Sequence, residues 1–213
     1  MTIKLNDVIP VPLSGMINSD SQIWNRNLLF EEEKFYLVTA PSGRGKTTLL
    51  SVIYGNRKDY EGRVLLGDEV VADMTAKHLT ALRQNQFSFV FQDLRLFDEL
   101  TALENIELKN KLTHHKSPGQ MREMAKRLSV DPLLDRKAAL LSRGEKQRVS
   151  IIRALCQPFN WLLLDEPFSH LDQDNIENGK ELILEECQRQ NAGIIFSSLK
   201  EDYGIDFHEK LRM

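Results

Sequence analysis

The stretch Ala40-Pro-Ser-Gly-Arg-Gly-Lys46-Thr47 decides the fold that this sequence predicts. The mostly apolar residues 34–40 indicate a buried strand, and residues 46–54 have a helical pattern. A glycine-containing turn between a strand and a helix lets backbone N–H groups and the helix N-terminus converge on phosphate. The stretch therefore predicts a phosphate-binding loop, in which Lys46 reaches the β- and γ-phosphates and the Thr47 hydroxyl faces Mg²⁺.

The predicted nucleotide-binding residues of this loop are Ser42, Gly43, Arg44, Gly45, Lys46, Thr47 and Thr48. One position departs from the usual pattern, because phosphate loops begin with glycine and Ala40 stands there. Alanine tolerates a negative φ, so the loop can form if this position is not left-handed. The alternative interpretation is a turn containing glycine and lysine that has no chemical role.

Length and composition point to an ordinary soluble α/β protein. The 213 residues suit one α/β domain with a helical insertion, and hydrophobic residues make up 41% of them. The formal net charge of −3 gives no general attraction for nucleic acid or anionic lipid. No apolar run approaches the roughly 18–20 residues that span a bilayer, and the first residues lack the apolar core of a signal peptide. We therefore expect a cytoplasmic location, with any membrane role arising through a partner.

Strand and helix patterns alternate along the rest of the chain. Strands are expected over residues 62–66, 87–91, 161–165 and 193–197, the second of them alternating in polarity. Helices are expected over residues 76–84, 144–155 and 174–190. Residues 101 to about 140 are mostly helical in pattern, with breaks near 117–119 and 131–132, which indicates an inserted helical subdomain. Because strands alternate with helices, the sheet should be mostly parallel.

An acidic pair follows the apolar strand 161–165. Asp165 and Glu166 stand at its carboxyl end, which is the edge where open α/β sheets bind ligands. Asp165 would hold Mg²⁺, and Glu166 would orient or deprotonate the attacking water. Taken alone, an acidic pair after an apolar strand is often only a turn.

Three further motifs follow the phosphate loop in a fixed order. Leu141-Ser-Arg-Gly-Glu-Lys-Gln-Arg148 resembles the signature of ATP-binding cassette ATPases. Gln92, in Phe91-Gln-Asp93, matches the Q-loop of that family, and Ser169-His-Leu-Asp172 matches its D-loop. The resemblance covers residues from about 27 to about 198. Within the family, residues 82–92, 96–97 and 100–106 make the chain look most like the compact ATPases for lipoprotein release, macrolide export and the cell-division complex.

The resemblance implies an α/β fold of the P-loop NTPase class. It implies a mostly parallel sheet, a small N-terminal β region and an inserted helical subdomain, with the Q-loop and subdomain over about 93–140 and the signature over 141–148. Residues 1–213 would then form a single cassette domain. Two cassettes would pair head-to-tail around two ATP molecules, in a homodimer or with a paired cassette. The Ser142 hydroxyl and the Gly144 N–H would contact the γ-phosphate held by the other copy, and Gln92 would sense that phosphate or Mg²⁺.

Besides Ala40, further positions depart from the family pattern. Arg143 replaces the first glycine of the signature pair, and Ser198 falls where the family has a histidine after the strand 193–197. A serine is neutral and shorter than histidine, so the resemblance implies slower hydrolysis. The family also stacks adenine on an aromatic residue upstream of the loop, where this chain has residues 16–17. Trp24 is the closest aromatic residue, but its spacing fits a core position better.

Apolar residues follow Gln92 in a region that is predicted to be a loop. By the resemblance, Leu94, Leu96, Phe97 and Leu100 would form a groove for a short cytoplasmic helix of a membrane permease. The chain would then lie on the inner face of the cell membrane through this partner. Alternatively, these residues fold back into the core. Two other functions stay open: a soluble cassette ATPase for metal-cluster assembly, and a weakly hydrolysing scaffold that depends on nucleotide.

Overall fold

Strands and helices alternate along most of the chain in the computed structural model, which describes residues 1–17 and 20–213. The strands are β1 (Ile3–Pro10), β2 (Asn27–Phe30), β3 (Phe35–Thr39), β4 (Tyr60–Leu66), β5 (Glu69–Val70), β6 (Phe87–Val90), β7 (Trp161–Asp165), β8 (Gly193–Ser198) and β9 (Glu209–Arg212). The helices are α1 (Lys46–Ile53), α2 (Ala76–Asn85), α3 (Ala102–Thr113), α4 (Pro118–Arg127), α5 (Arg143–Leu155) and α6 (Gln173–Gln190). Within this described part, each helix is too short or too polar to cross a bilayer.

The strands form two sheets over residues 1–17 and 20–213. One sheet has the order β6-β7-β8-β3-β9, and all of its strand pairs are parallel. The other has the order β2-β1-β4-β5 and is antiparallel. The predicted parallel sheet and the small N-terminal β region are therefore confirmed. The edge strand β9 was not predicted, and it extends the parallel sheet beyond β3.

The parallel sheet separates two hydrophobic cores. Along β7, Leu162 and Leu164 pack against the helical side with α3 to α6, whereas Trp161 and Leu163 pack against α1 and the antiparallel sheet. Because successive side chains of a strand point to opposite faces, both faces must be apolar when both are covered. This explains why residues 161–164 are apolar without a break. The predicted strand over residues 87–91 is confirmed as β6, and all four of its residues are buried even though their polarity alternates.

The helical subdomain is only half helical. α3 and α4 confirm the first half and its break, and each begins with a capping box, formed by Thr101 with Glu104 and by Ser117 with Gln120. Residues 128–140, by contrast, contain single 3₁₀ turns instead of the expected helix. These residues fold back on the start of α3, where the N–H of Ala102 donates to the Arg136 carbonyl at 2.9 Å. Backbone pairing with α3 therefore replaces helix formation there.

A buried ion pair fixes the subdomain to the rest of the helical side. Lys116, in the connection between α3 and α4, lies 2.6 Å from Glu186 of α6, and both side chains are only 2% exposed. Asn110 holds the same connection, because its side chain bonds both the N–H and the carbonyl of Lys116. A buried charge needs such close partners to offset the loss of hydration. The subdomain and α6 are therefore joined by specific polar contacts as well as by packing.

Candidate functional site

The carboxyl ends of four neighbouring strands meet beside the predicted phosphate loop. β3 leads into this loop, β6 leads to Gln92, β7 ends at Asp165, and β8 ends at Ser198. Parallel strands all place these ends at one edge of their sheet. A cleft of about 260 Å³ opens there, lined by Leu13, Ser42, Gly43, Gly45, Lys46, Thr47, Thr48, Gln92 and Glu166. Most predicted nucleotide-binding residues therefore come together, and Arg44 lines an adjoining cavity.

Two glycines give the loop its shape. Gly43 and Gly45 have φ values of 78° and 104°, in the left-handed region that residues with a Cβ avoid. A Cβ on Gly45 would also lie 2.6 Å from Leu13 Cδ1 and 3.2 Å from Trp24 Nε1, so close packing requires glycine as well. Ala40 lies outside the left-handed region. Alanine therefore fits the position where the usual pattern has glycine.

Lys46 is buried beneath the loop, and three oxygen atoms surround its ammonium group. Its Nζ donates to the carbonyl of Ala40 at 2.7 Å and to that of Pro41 at 3.3 Å. The same Nζ lies 3.2 Å from Glu166 Oε1. The Glu166 carboxylate therefore neutralises the Lys46 ammonium, and a phosphate group that approaches Lys46 would compete with it.

Gln92 connects the phosphate loop with Glu166. Thr47 Oγ1 donates to Gln92 Oε1 at 3.3 Å, and Gln92 Nε2 donates to Glu166 Oε2 at 3.3 Å. Lys46, Glu166, Gln92 and Thr47 thus form one continuous chain of polar contacts across the cleft. Thr47 and Gln92 are exposed, so a ligand in the cleft can reach both of them.

Asp165 lies below this chain of contacts and is only 1% exposed. Its Oδ1 accepts a hydrogen bond from Ser197 Oγ at 2.6 Å, whereas its buried Oδ2 has no partner among the described residues. Burial raises the pKa of Asp165, although the hydrogen bond from Ser197 acts in the opposite direction. A cation would satisfy the unpaired oxygen, and Mg²⁺ prefers oxygen ligands. Thr47, Gln92 and Asp165 therefore fit the predicted metal site.

Replacing Asp165 with asparagine should stabilise the protein in buffer without nucleotide or metal. Because the pKa of Asp165 is raised in the folded protein, its ionisation lowers the free energy of unfolding at pH values above that raised pKa. Below the ordinary aspartate pKa of about 3.9, the carboxyl group is protonated in both the folded and the unfolded state, and it has no such effect. Asp165→Asn should therefore have a higher Tm than the wild type at neutral pH. This difference in Tm should shrink as the pH falls from the raised pKa of Asp165 towards the ordinary value of about 3.9. Differential scanning fluorimetry measures it, with the exposed Asp135→Asn as the control. A lower Tm for Asp165→Asn would show that the carboxylate is stabilised in place.

Two residues at this edge were not predicted. Ser197 binds the Asp165 carboxylate and also accepts from the Glu166 N–H at 3.3 Å. Gln147 Nε2 donates to the Glu166 carbonyl at 3.1 Å. Gln147 lies in the signature stretch, so its position in that motif was an available signal. Ser197 faces Asp165 through the register of β7 and β8, which the sequence alone does not provide.

The predicted signature residues lie outside the cleft, at the start of α5. Ser142 is the N-cap, its Oγ accepts from the Glu145 N–H, and Glu145 Oε2 accepts from the Ser142 N–H. A Cβ on Gly144 would lie 2.9 Å from the His170 carbonyl oxygen, so only glycine lets the D-loop pack there. The positive end of the α5 dipole at this point suits an anion. This separation from the cleft fits residues that act on a nucleotide held by a second copy.

Ser198 faces a turn rather than Lys46. It is 3% exposed, and its Oγ accepts from the Glu201 N–H at 3.1 Å. The next residue, Leu199, is 50% exposed. Ser198, Leu199 and Glu166 all line a second cavity of about 500 Å³. Neither residue 198 nor residue 199 is a histidine, so these two positions beside Glu166 do not provide the imidazole that the family pattern implies.

Trp24 is a core residue, as its spacing predicted. Its side chain is only 3% exposed, and its indole ring packs against Gly45. Trp24, residues 43–44, Met16 and Ile17 all line a cavity of about 190 Å³. The place expected for an adenine-stacking residue therefore carries aliphatic side chains.

The predicted docking residues differ in how accessible they are. Phe97 is 59% exposed, Leu96 and Leu100 are half-buried, and Leu94 is only 7% exposed. Leu94 and Leu96 line a cavity of about 510 Å³ that also reaches the start of α5. Leu94 thus folds into the interior, as the alternative interpretation proposed, while Phe97 faces solvent.

Known proteins share this sequence pattern. The family model described as ABC transporter matches residues 24–169. The molybdate/tungstate import ATP-binding protein WtpC of Pyrococcus horikoshii is 37% identical over 178 residues, which are 82% of this chain and 49% of that protein. The aliphatic sulfonates import ATP-binding protein SsuB of Bacillus cereus is 32% identical over 205 residues, 96% of this chain and 78% of that protein. The chain thus spans about half the length of the first relative.

Solved structures share the fold. The dimeric structure of MJ0796, a bacterial ABC transporter cassette, has a TM-score of 0.83 and 28% identity, and the match covers 99% of this chain and 94% of that one. A dimeric post-hydrolysis state of the same ATP-binding cassette, bound to ADP and Pi, has a TM-score of 0.72 and 27% identity, with coverage of 92% and 87%. The similarity therefore extends over nearly the whole chain.

Proposed function

The chain belongs to the ABC transporter family, and from that premise we propose that it binds ATP with Mg²⁺ and hydrolyses it as the cassette subunit of a membrane transporter or a mechanically coupled membrane complex. One observation carries the proposal: Lys46, Glu166, Gln92 and Thr47 form a continuous polar chain above the buried carboxylate of Asp165. These groups are the ones that phosphoryl transfer to water requires, namely a cation for phosphate, metal ligands and a base.

Each of these residues would have one role in the reaction. Lys46 would release Glu166 and bind the β- and γ-phosphates, and the freed Glu166 carboxylate would accept a proton from the attacking water. Thr47, Gln92 and Asp165 would hold Mg²⁺, which supplies positive charge to the phosphate oxygens. The backbone N–H groups of residues 42–48 and the N-terminus of α1 would hold the remaining phosphate charge.

We further propose that two copies of this single cassette, residues 1–213, pair head-to-tail. Ser142 and Gly144 start α5 outside the cleft, so a second copy is needed to bring such residues to a nucleotide. The dimeric form of the solved relatives supports this arrangement. ATP would then hold the two copies together, and hydrolysis would separate them.

The partner that we propose is an integral membrane permease, which keeps the chain on the cytoplasmic face of the membrane. The names of the relatives as import ATP-binding proteins support this partner. The likeness to lipoprotein-release and macrolide-export ATPases points to the opposite direction of transport. Cargo and direction would therefore be set by the membrane subunit and not by this chain.

Two measurements on the native complex test the proposal. The tagged chain is recovered from gently solubilised membranes, its partners are identified, and ATP turnover is assayed with and without Mg²⁺. Mg²⁺-dependent turnover together with a stoichiometric polytopic membrane protein would support it. Turnover with a soluble partner would favour metal-cluster assembly, and nucleotide binding without turnover would favour a scaffold.

Phe97→Asp should abolish the association with the membrane partner and leave ATP binding unchanged. A carboxylate at this exposed apolar position would have to be desolvated on docking, whereas the nucleotide cleft does not include Phe97. Recovery of the membrane protein with the tagged variant measures the effect. Leu29→Asp, at a position 45% exposed on β2, is the matched control. If the partner still co-purifies with Phe97→Asp, the docking surface lies elsewhere.

Ser198→His should increase ATP turnover about tenfold, because an imidazole would add a donor to the developing phosphate charge. Leu199→His provides the paired comparison, since Leu199 lines the same cavity and is the more exposed of the two. Steady-state kcat is measured for both variants. If Leu199→His alone is faster, the histidine position is residue 199. If both rates are unchanged, the missing histidine does not limit hydrolysis.

A further inference from the structure

The backbone of Glu166 has an unusual conformation. Its φ is 50°, in the left-handed region that residues with a Cβ rarely adopt. Such conformations persist when surrounding contacts fix them, and they cluster at functional sites. The orientation of the Glu166 carboxylate towards Lys46 and Gln92 depends on this backbone angle. The contacts that hold the peptide groups of Glu166 therefore also fix the direction of its side chain.

Three elements hold these peptide groups. The Glu166 N–H donates to Ser197, at 3.2 Å to its carbonyl and 3.3 Å to its hydroxyl. The Glu166 carbonyl accepts from the Ser169 N–H at 3.3 Å and from Gln147 Nε2 at 3.1 Å. Ser197 belongs to the neighbouring strand and Ser169 to the turn that follows. Gln147 is the contact that reaches Glu166 from a separate helix, α5.

The side-chain amide of Gln147 is buried where it donates to the Glu166 carbonyl. The residue is 2% exposed, and its Oε1 has no partner within residues 1–17 and 20–213. A buried unpaired oxygen costs free energy, so an apolar side chain of similar size would fill this space at a lower cost. What a glutamine provides at this position is therefore the hydrogen bond from its Nε2 to the Glu166 carbonyl.

The same helix begins with the signature residues. Ser142 caps α5 five positions before Gln147, a rise of about 7.5 Å along the axis, and Gly144 packs on the His170 carbonyl. A helical segment of this length moves as a rigid unit, because backbone hydrogen bonds connect its successive turns. A displacement at Ser142 therefore reaches the Glu166 carbonyl through Gln147.

The other end of α5 holds a second left-handed segment. Arg153 is 8% exposed, and its guanidinium donates to the carbonyls of Leu94 at 2.5 Å and Arg95 at 2.6 Å. Leu94 and Arg95 have φ values of 61° and 48°. One helix thus fixes both the backbone of Glu166 and the loop that carries the proposed docking surface.

We propose that Gln147 is a positioning residue, which couples the signature end of α5 to the Glu166 carboxylate of the same copy. The proposal rests on the proposed function, because it requires that Glu166 acts in hydrolysis and that the signature contacts a nucleotide bound by a second copy. In the head-to-tail pair, a nucleotide that binds the signature of one copy would then position Glu166 of that same copy. This carboxylate lies beside the second nucleotide, which is held by the phosphate loop of that copy. The two sites would hydrolyse ATP cooperatively through this contact.

Gln147→Met in the full chain tests the proposal, because methionine keeps the length of the side chain and removes the donor. The turnover number should fall about 10- to 100-fold, as small displacements of a catalytic group produce, while the ATP affinity stays within about twofold. The Hill coefficient for ATP should fall towards 1. With Glu166→Gln in the same chain, Gln147→Met should cause no further loss, because the two residues act as one unit.

Gln157→Met is the matched control. Gln157 is also buried, and its Nε2 donates to the carbonyls of Arg83 and Phe87. Its Oε1 likewise has no partner in the part of the chain that the structure describes. Gln157→Met should change the thermal stability to about the same extent as Gln147→Met does, and it should keep wild-type turnover. If Gln147→Met does not fold, Gln147→Glu at neutral pH removes the donor with an isosteric side chain. A folded variant at residue 147 with wild-type turnover would overturn this proposal alone, whereas a wild-type chain without turnover would overturn the proposed function as well.

Discussion

Glu166→Gln should lower ATP turnover about 10³-fold and leave ATP bound at least as tightly as in the wild type. The amide cannot accept a proton from water, so the general base is lost. The substitution also removes the carboxylate that lies 3.2 Å from Lys46 Nζ, and with it the competitor for the phosphate charge. Binding and chemistry should therefore change in opposite directions, which a folding defect would not produce.

The measurement pairs steady-state phosphate release with equilibrium binding of ATP. Glu185→Gln is the control, since Glu185 is an exposed carboxylate on α6 that pairs with Arg127 at the surface. It should match the wild type in both assays. If Glu166→Gln retained turnover within about tenfold, another group would be the base. Weaker ATP binding would show that the contact between Lys46 and Glu166 supports the nucleotide site instead of competing for it.

Lys46→Met should weaken ATP binding about 10- to 100-fold and thereby remove activity at ordinary nucleotide concentrations. Hydrogen bonds to a charged group contribute about 1.5–3 kcal/mol, and each 1.4 kcal/mol is tenfold in affinity. The loss should be aggravated because Glu166 would then face the phosphates without a cation between them. Methionine preserves the apolar stem of a side chain that is only 4% exposed.

Isothermal titration with a non-hydrolysable ATP analogue measures the affinity of Lys46→Met without interference from turnover. Lys58→Met is the control, because Lys58 is exposed and its Nζ contacts the Ala72 carbonyl, away from the cleft. Unchanged affinity in Lys46→Met would mean that the loop backbone alone binds the phosphates. In that case the buried ammonium would serve mainly to hold Glu166.

Local signals in the sequence predicted much of the fold. The apolar run 161–165 and the glycine-rich turn after β3 give their elements to within a residue. The start of α3 is likewise local, because Thr101 and Glu104 form a capping box that their spacing indicates. Such features depend on neighbours within about four positions, so a single sequence contains the information.

Features that depend on distant partners were missed. β9 contains one buried residue, Leu211, and is a strand because it pairs with β3 from residue 36 to residue 39. Residues 128–140 lack a helix because their carbonyls bond the start of α3. The contacts of Ser197 with Asp165 and of Gln147 with Glu166 also join residues far apart in sequence. The tertiary structure determines these features, and no local sequence pattern indicates them.

The sheet that separates two cores also bears on how such a chain evolves. Neighbouring residues of one strand, such as Leu162 and Leu163, pack into different cores, so a substitution at one of them is felt mainly on one side. Mutations that reshape α3 and α4 can therefore accumulate while the residues around α1 keep their packing. Evolutionary drift in the helical core therefore leaves the packing beneath the phosphate loop, around α1, intact.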